Sequence, residues 1–100
     1  MNEPFECTIG NLDKFEIGEV YHIHHDTNLG SMVDIYAILI TIEEYPGIIE
    51  KTERWLQFQC ISVYEQLSDE DFQTWGLYSG KIFPWHVGEN YVGDMITKVS

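Results

Sequence analysis

Trp55-Leu56-Gln57-Phe58-Gln59-Cys60-Ile61-Ser62-Val63-Tyr64 can be read in two ways, and the choice between them decides the fold. Wound as a helix, at about 100° per residue, Ile49, Leu56, Cys60, Val63 and Leu67 form an apolar stripe. Glu50, Lys51, Arg54 and Glu65 gather opposite it, as on an amphipathic helix. Phe58 and Ile61 spoil that stripe, because they would point into the charged face. Extended, the same run is rich in β-branched and aromatic residues, which suit a pleated, half-buried surface. The reading adopted is a strand over residues 54–65, which makes Tyr45 to Glu53 a long hairpin connection.

The neighbouring segments agree with a sheet. Met32, Tyr36, Ile38, Ile40 and Ile42 alternate with Val33, Ile35, Ala37 and Leu39, so both faces of this strand are apolar and it is expected at the centre, covered on both sides. Phe15, Ile17, Tyr21 and Ile23 fall on one face of an extended segment, with Glu16, Val20, His22 and His24 on the other. Lys81 to Trp85 and Tyr91 to Val99 read as two further strands, and Pro84 assigns the first of them to a sheet edge or a kink. Ser68-Asp69-Glu70-Asp71 has a capping residue followed by acids that complement a helix dipole, and Gly76 ends the helix early. The expected fold is mainly β, with α+β as the alternative. It is a small antiparallel sandwich or half-open barrel of five to six strands with one short helix near residues 68–75.

Composition limits the rest. At 100 residues, without repeats or linker-like tracts, the chain is expected to be one acidic domain spanning residues 1–100. Its 44% apolar and 14% aromatic content supports a folded core. Seventeen Asp and Glu against five Lys and Arg give a net charge of −12. That balance opposes direct binding to DNA, RNA or an anionic membrane, which requires clustered cations. No stretch approaches the roughly 18 apolar residues of a spanning helix, and the first six residues carry two acids and no base, so the chain reads as cytoplasmic. Cys7 and Cys60 sit in apolar segments and read as reduced, buried thiols.

Two constellations could carry function. His22-Ile23-His24-His25-Asp26 places His22 and His24 on the same side of a strand, where they could share a metal with His86 or Asp26 as a third ligand. This is the alternative reading as a small metal- or ligand-binding β-barrel; a solvated strand end and a pH-sensitive contact fit the same residues. Neither cysteine has a basic neighbour in sequence to activate it, and no nucleophile elbow or phosphate-binding glycine loop is present. The expectation is a chain that is not an enzyme and needs no cofactor.

The second constellation is acidic. Glu65, Asp69, Glu70 and Asp71 lie in a stretch without bases, and Glu43 and Glu44 would join them in one negative face if the hairpin folds back. The charge exceeds the roughly 2 to 8 units that keep a small domain soluble, and a basic partner would relieve the repulsion. Together with exposed Tyr78, these residues are the expected contact surface for a basic protein partner. The sequence therefore points to a non-enzymatic inhibitor of a basic nuclease or other nucleic-acid-handling enzyme: a toxin immunity protein or, alternatively, a phage anti-defence protein resembling DNA in charge.

Overall fold

A computed structural model describes residues 2–26, 30–44, 53–69, 74–88 and 94–99. Among the described residues there are six strands: β1 (Phe5–Glu6), β2 (Val20–Asp26), β3 (Met32–Glu44), β4 (Arg54–Gln66), β5 (Ile82–Val87) and β6 (Met95–Val99). They form one antiparallel sheet in the order β1-β6-β2-β3-β4-β5, curled into a half-barrel. The mainly β fold read from the sequence is the one observed, and residues 54–65 lie in a strand. Phe58, which spoils the helical stripe, is fully buried on the inner face beside Leu56, while Ile61, the other residue that spoils it, is exposed.

The core lies on the inner face. Tyr21 and Ile23 of β2, Val33, Ile35, Ala37 and Leu39 of β3, Leu56, Phe58 and Cys60 of β4, Phe83, Trp85 and Val87 of β5 and Ile96 of β6 are all buried. Aromatic rings run through it in edge and stacked contacts, from Phe5 to Phe15, Tyr21, Phe58, Phe83 and Trp85. Two register shifts interrupt the β3–β4 ladder, between Tyr36 and Ala37 and between Leu39 and Thr41. Each leaves one residue unpaired, Ile61 on β4 and Ile40 on β3, and such bulges bend the bulged strand and sharpen its twist. They let two 13-residue strands curl around the core.

Several sequence expectations are corrected. β3 is central, between β2 and β4, but its outer face is uncovered: Tyr36 is 42% exposed, because the domain has one layer where a sandwich would have two. Ile17 does not share the core face with Phe15. Gly18 turns at φ +93° and donates its N–H to Leu39 O, and this turn leaves Ile17 exposed. The expected helix near residues 68–75 falls mostly on residues 70–73, which lie outside the described residues. At its start, the Ser68 backbone N–H donates to Ser31 Oγ at 2.8 Å. Among the described residues the helical segment is a short 3-10 helix at Ile9–Lys14.

Pro84 stands on the edge strand, as expected of a residue with no N–H to donate. Cys7 and Cys60 are buried and free. Replacing Phe58, at the centre of the aromatic run, by Ala is expected to cost about 3–5 kcal/mol, read as a lower urea midpoint with an unchanged m-value.

Candidate functional site

One rung of the sheet collects polar groups on the inner face. The β2–β6 register places Asp94 across from His25, and Cys7 N–H donates to Asp94 O at 3.0 Å from the other side. The Asp94 side chain is fully buried. His25 Nδ1 donates to its Oδ1, and Trp85 Nε1, on β5 at the far edge of the sheet, donates to its Oδ2 at 2.9 Å. The curl thus brings the β5 edge back against β6. A buried carboxylate without such partners would cost several kcal/mol.

The composition of this pair is that of a general base, a dry carboxylate orienting an imidazole. What His25 meets on its open side is aromatic: Trp75 at 4.9 Å, edge on, and Trp85 at 6.3 Å. The nearby thiol offers no nucleophile. Burial, and secondarily the Asp94 charge, push Cys7 up to about 12, and burial raises Cys60 as well, so both stay protonated at neutral pH.

Beside this rung, Trp75, Pro84, Trp85 and His86 line an open groove of about 210 Å³ along β5. Its walls are anchored by acids. Glu65 Oε1 accepts the Trp75 backbone N–H at 2.7 Å, Asp94 holds Trp85, and His86 Nε2 lies 3.2 Å from Glu53 Oε1. Trp75 and Trp85 are stacked, with centroids 5.4 Å apart. Gly88 leaves room for the His86–Glu53 pair, since a Cβ there would meet His86 Cε1 at 3.1 Å and Glu53 Oε1 at 3.2 Å.

The outer face holds a second cluster. His22 Nε2 and His24 Nδ1 both donate to Asp34 Oδ1 at 2.8 Å, and His24 Nε2 lies 3.2 Å from Asp26 Oδ1. Only a protonated ring can donate from both nitrogens. Accordingly the Asp34 hydrogen bond, opposed by desolvation and aided by the Asp26 charge, raises the His24 pKa. Burial works to raise Asp34, and the hydrogen bonds from His24 and His22 outweigh it, so its pKa is lowered. Tyr36 stacks on His22 at 4.8 Å.

His22 and His24 therefore face the same way, as their spacing implies, but His86 does not join them. It stands on β5, three strands across the sheet, and it pairs with Trp55 whereas His22 lies on the rung of Tyr36 and Ser62, well along the ladder from it. Among the described residues no group of His, Cys, Asp and Glu is arranged to hold a metal ion.

The acidic residues singled out in the sequence are not brought into one face. Glu43 and Glu44 are exposed at one end of the β3–β4 ladder; Glu43 pairs in register with Trp55 and accepts from Gln57 Nε2 at 3.3 Å. Glu65 and exposed Asp69 lie at the other end, about ten residues or 33 Å along the strand. Glu65 is committed to Trp75, and Glu70 and Asp71 lie outside the described residues. Tyr78 is 63% exposed, with Lys81 Nζ 5.5 Å from its ring. Sequence reasoning missed Asp94 and Trp85 as a pair and Tyr36 and Tyr64 as surface. Only the pairing register, with its bulges, reveals which face each of them takes.

Trp85→Phe keeps a ring but leaves Asp94 Oδ2 without its indole donor, and is expected to lower stability by about 1–3 kcal/mol in urea unfolding. For the outer cluster the signs are opposite at the two ends of the pH scale. The raised His24 pKa contributes stability that is fully present below the unfolded histidine value and is lost as pH rises through the folded one. The lowered Asp34 pKa contributes stability present above the unfolded aspartate value and lost as pH falls through its folded one. Wild type is therefore expected to lose a fraction of a kcal/mol between pH 6 and pH 8.5 that Asp34→Asn does not lose, as measured by urea titrations at both pH values.

Comparison with models of protein families, with curated proteins and with solved structures finds no match to this chain.

Proposed function

We propose that this chain is a non-enzymatic inhibitor, an acidic β domain that binds a basic nuclease or other nucleic-acid-handling enzyme and blocks it. A toxin immunity protein is the setting preferred here; a phage protein that disarms a DNA-directed defence would use the same chemistry. The observation that carries this reading is the uncovered outer face of the sheet. Tyr36, Tyr64 and Ile82 stand 42%, 64% and 59% exposed on β3, β4 and β5, on the same side as His22, His24 and Asp34. Exposed aromatic side chains beside charged groups are the composition of interface anchors.

The charge supports a basic partner. Four of the five Lys and Arg are described, and each is engaged by its own chain. Lys14 lies over Phe5, Arg54 donates to Glu53 O, Lys81 donates to Gly76 O, and Lys98 pairs with Glu16. The net −12 then acts to steer a cationic surface into fast, salt-sensitive association. The groove along β5, smaller than the roughly 300–1,000 Å³ of ordinary small-molecule pockets, and the protonated thiols favour binding over catalysis.

The test is capture on the immobilised chain at low salt from the native host and from its toxin-bearing and phage-infected neighbours. Elution with salt follows, and then titration of the eluted protein's nuclease activity with the free chain. The expected result is a basic protein whose cleavage of nucleic acid falls to zero at a fixed stoichiometry, with Tyr36→Ala/Tyr64→Ala binding it at least about tenfold more weakly. Retention of acidic or neutral proteins only, or nuclease activity untouched by excess chain, overturns the reading.

A further inference from the structure

Three of the four residues lining the groove along β5 are each tied to a different carboxylate. Trp75 is held by Glu65 through its backbone N–H, Trp85 by Asp94 through its indole N–H, and His86 by Glu53 through Nε2. These three acids come from β4, from the residue before β6 and from the residue before β4, so only the folded chain assembles them. Trp75 is half-buried and stacked at 24° on Trp85, which leaves an indole surface bordering an open cavity of about 210 Å³. Among the described cations, Arg54 is turned onto the Glu53 carbonyl and Lys81 onto the Gly76 carbonyl, and neither lines the groove.

An indole face attracts cations through its quadrupole, and carboxylates one hydrogen bond behind it add to the same field. We propose that this groove receives an arginine side chain of the basic partner, its guanidinium lying flat on Trp75 within the field of Glu65, Asp94 and Glu53. The proposal rests on the reading of the chain as a receptor for a basic protein.

The shape of the groove selects among cations. A quaternary ammonium is bound by an enclosing cage of several rings, whereas here two nearly parallel indoles and Pro84 bound a site that is open on one side. A planar guanidinium stacks on one flat face and stays partly hydrated at its rim, which a compact, strongly hydrated lysine ammonium does less well. The cavity has room for one side chain end, and the His25 ring packed edge-on against Trp75 keeps that indole in place. Arginine is also the residue that nucleic-acid enzymes use to grip phosphates, so a bound arginine would be removed from that work.

The test uses the intact chain and two small probes, Nα-acetyl-arginine amide and its uncharged isostere Nα-acetyl-citrulline amide, followed by indole N–H resonances and tryptophan fluorescence. The expected result is saturable millimolar binding of the arginine probe that moves the Trp75 indole signal. Affinity should be at least about threefold lower for citrulline, and similarly reduced in Trp75→Leu. Glu65→Gln keeps an acceptor for the Trp75 N–H and removes the charge. It should leave the Trp75 fluorescence of the free chain unchanged while weakening arginine.

Equal responses to the two probes, or an arginine response that survives Trp75→Leu, overturn the site. The inhibitor reading would survive that failure, because it is scored on capture of a basic nuclease. Arginine binding at Trp75 without any such nuclease would uphold the site and overturn the inhibitor.

Discussion

A carboxylate cut off from water needs its charge answered by neighbouring donors, and the donors of Asp94 come from both sides of the half-barrel. His25 reaches it from the adjacent strand, and Trp85 reaches it from β5, which stands at the opposite end of the strand order. β5 and β6 share no ladder, so this contact holds the curl across its open side. Pairs of this kind rarely add net stability over well-packed apolar residues. What they specify is geometry, since a flatter sheet would leave the carboxylate buried with one donor fewer. The same contact fixes the Trp85 ring, on which Trp75 stacks, and so positions one wall of the groove.

The single sheet divides the chain's chemistry by face. Everything large and apolar on the inner side is consumed by packing, down to both cysteines, whose thiols burial keeps protonated. Among the described residues the outer side has no second layer, and its exposed tyrosines sit among histidines already paired with aspartates. Several of the 17 acids are engaged within the fold: Asp34 by His22 and His24, Asp94 by His25, Glu53 by His86 and Glu16 by Lys98. Each of the four histidines has a carboxylate partner.

The strands were legible because period-two alternation survives in β2, β3 and β5 and because β-branched and aromatic residues crowd β4. The edge placement of β5 followed from Pro84. What was not legible depended on register. The bulges at Ile40 and Ile61 each shift the side-chain parity by one, so Ile42 and Val63 turn to the core while Tyr64 turns outward. No pattern of single residues announces such a slip. The buried acid was hidden for a related reason: Asp94 looks like any loop acid until β6 is laid beside β2. Glu65 looked like part of a charge run, yet a backbone N–H ten residues away engages it. Of the acids singled out, Glu43 and Glu44 stand at the opposite end of the two 13-residue strands from Glu65 and Asp69, a separation that only the pairing register reveals.

The margins of the sheet also constrain how the molecule can meet another chain. At one margin β1 is only two residues long; at the other, Pro84 interrupts the row of N–H groups of β5. Neither offers a long template for an added strand, so an incoming protein has little backbone to pair with. If the chain binds a basic partner as proposed, recognition falls to side chains, a handful of tyrosines, tryptophans and carboxylates. Such a surface can change its preferred partner by substituting a few exposed residues while the aromatic core beneath stays as it is.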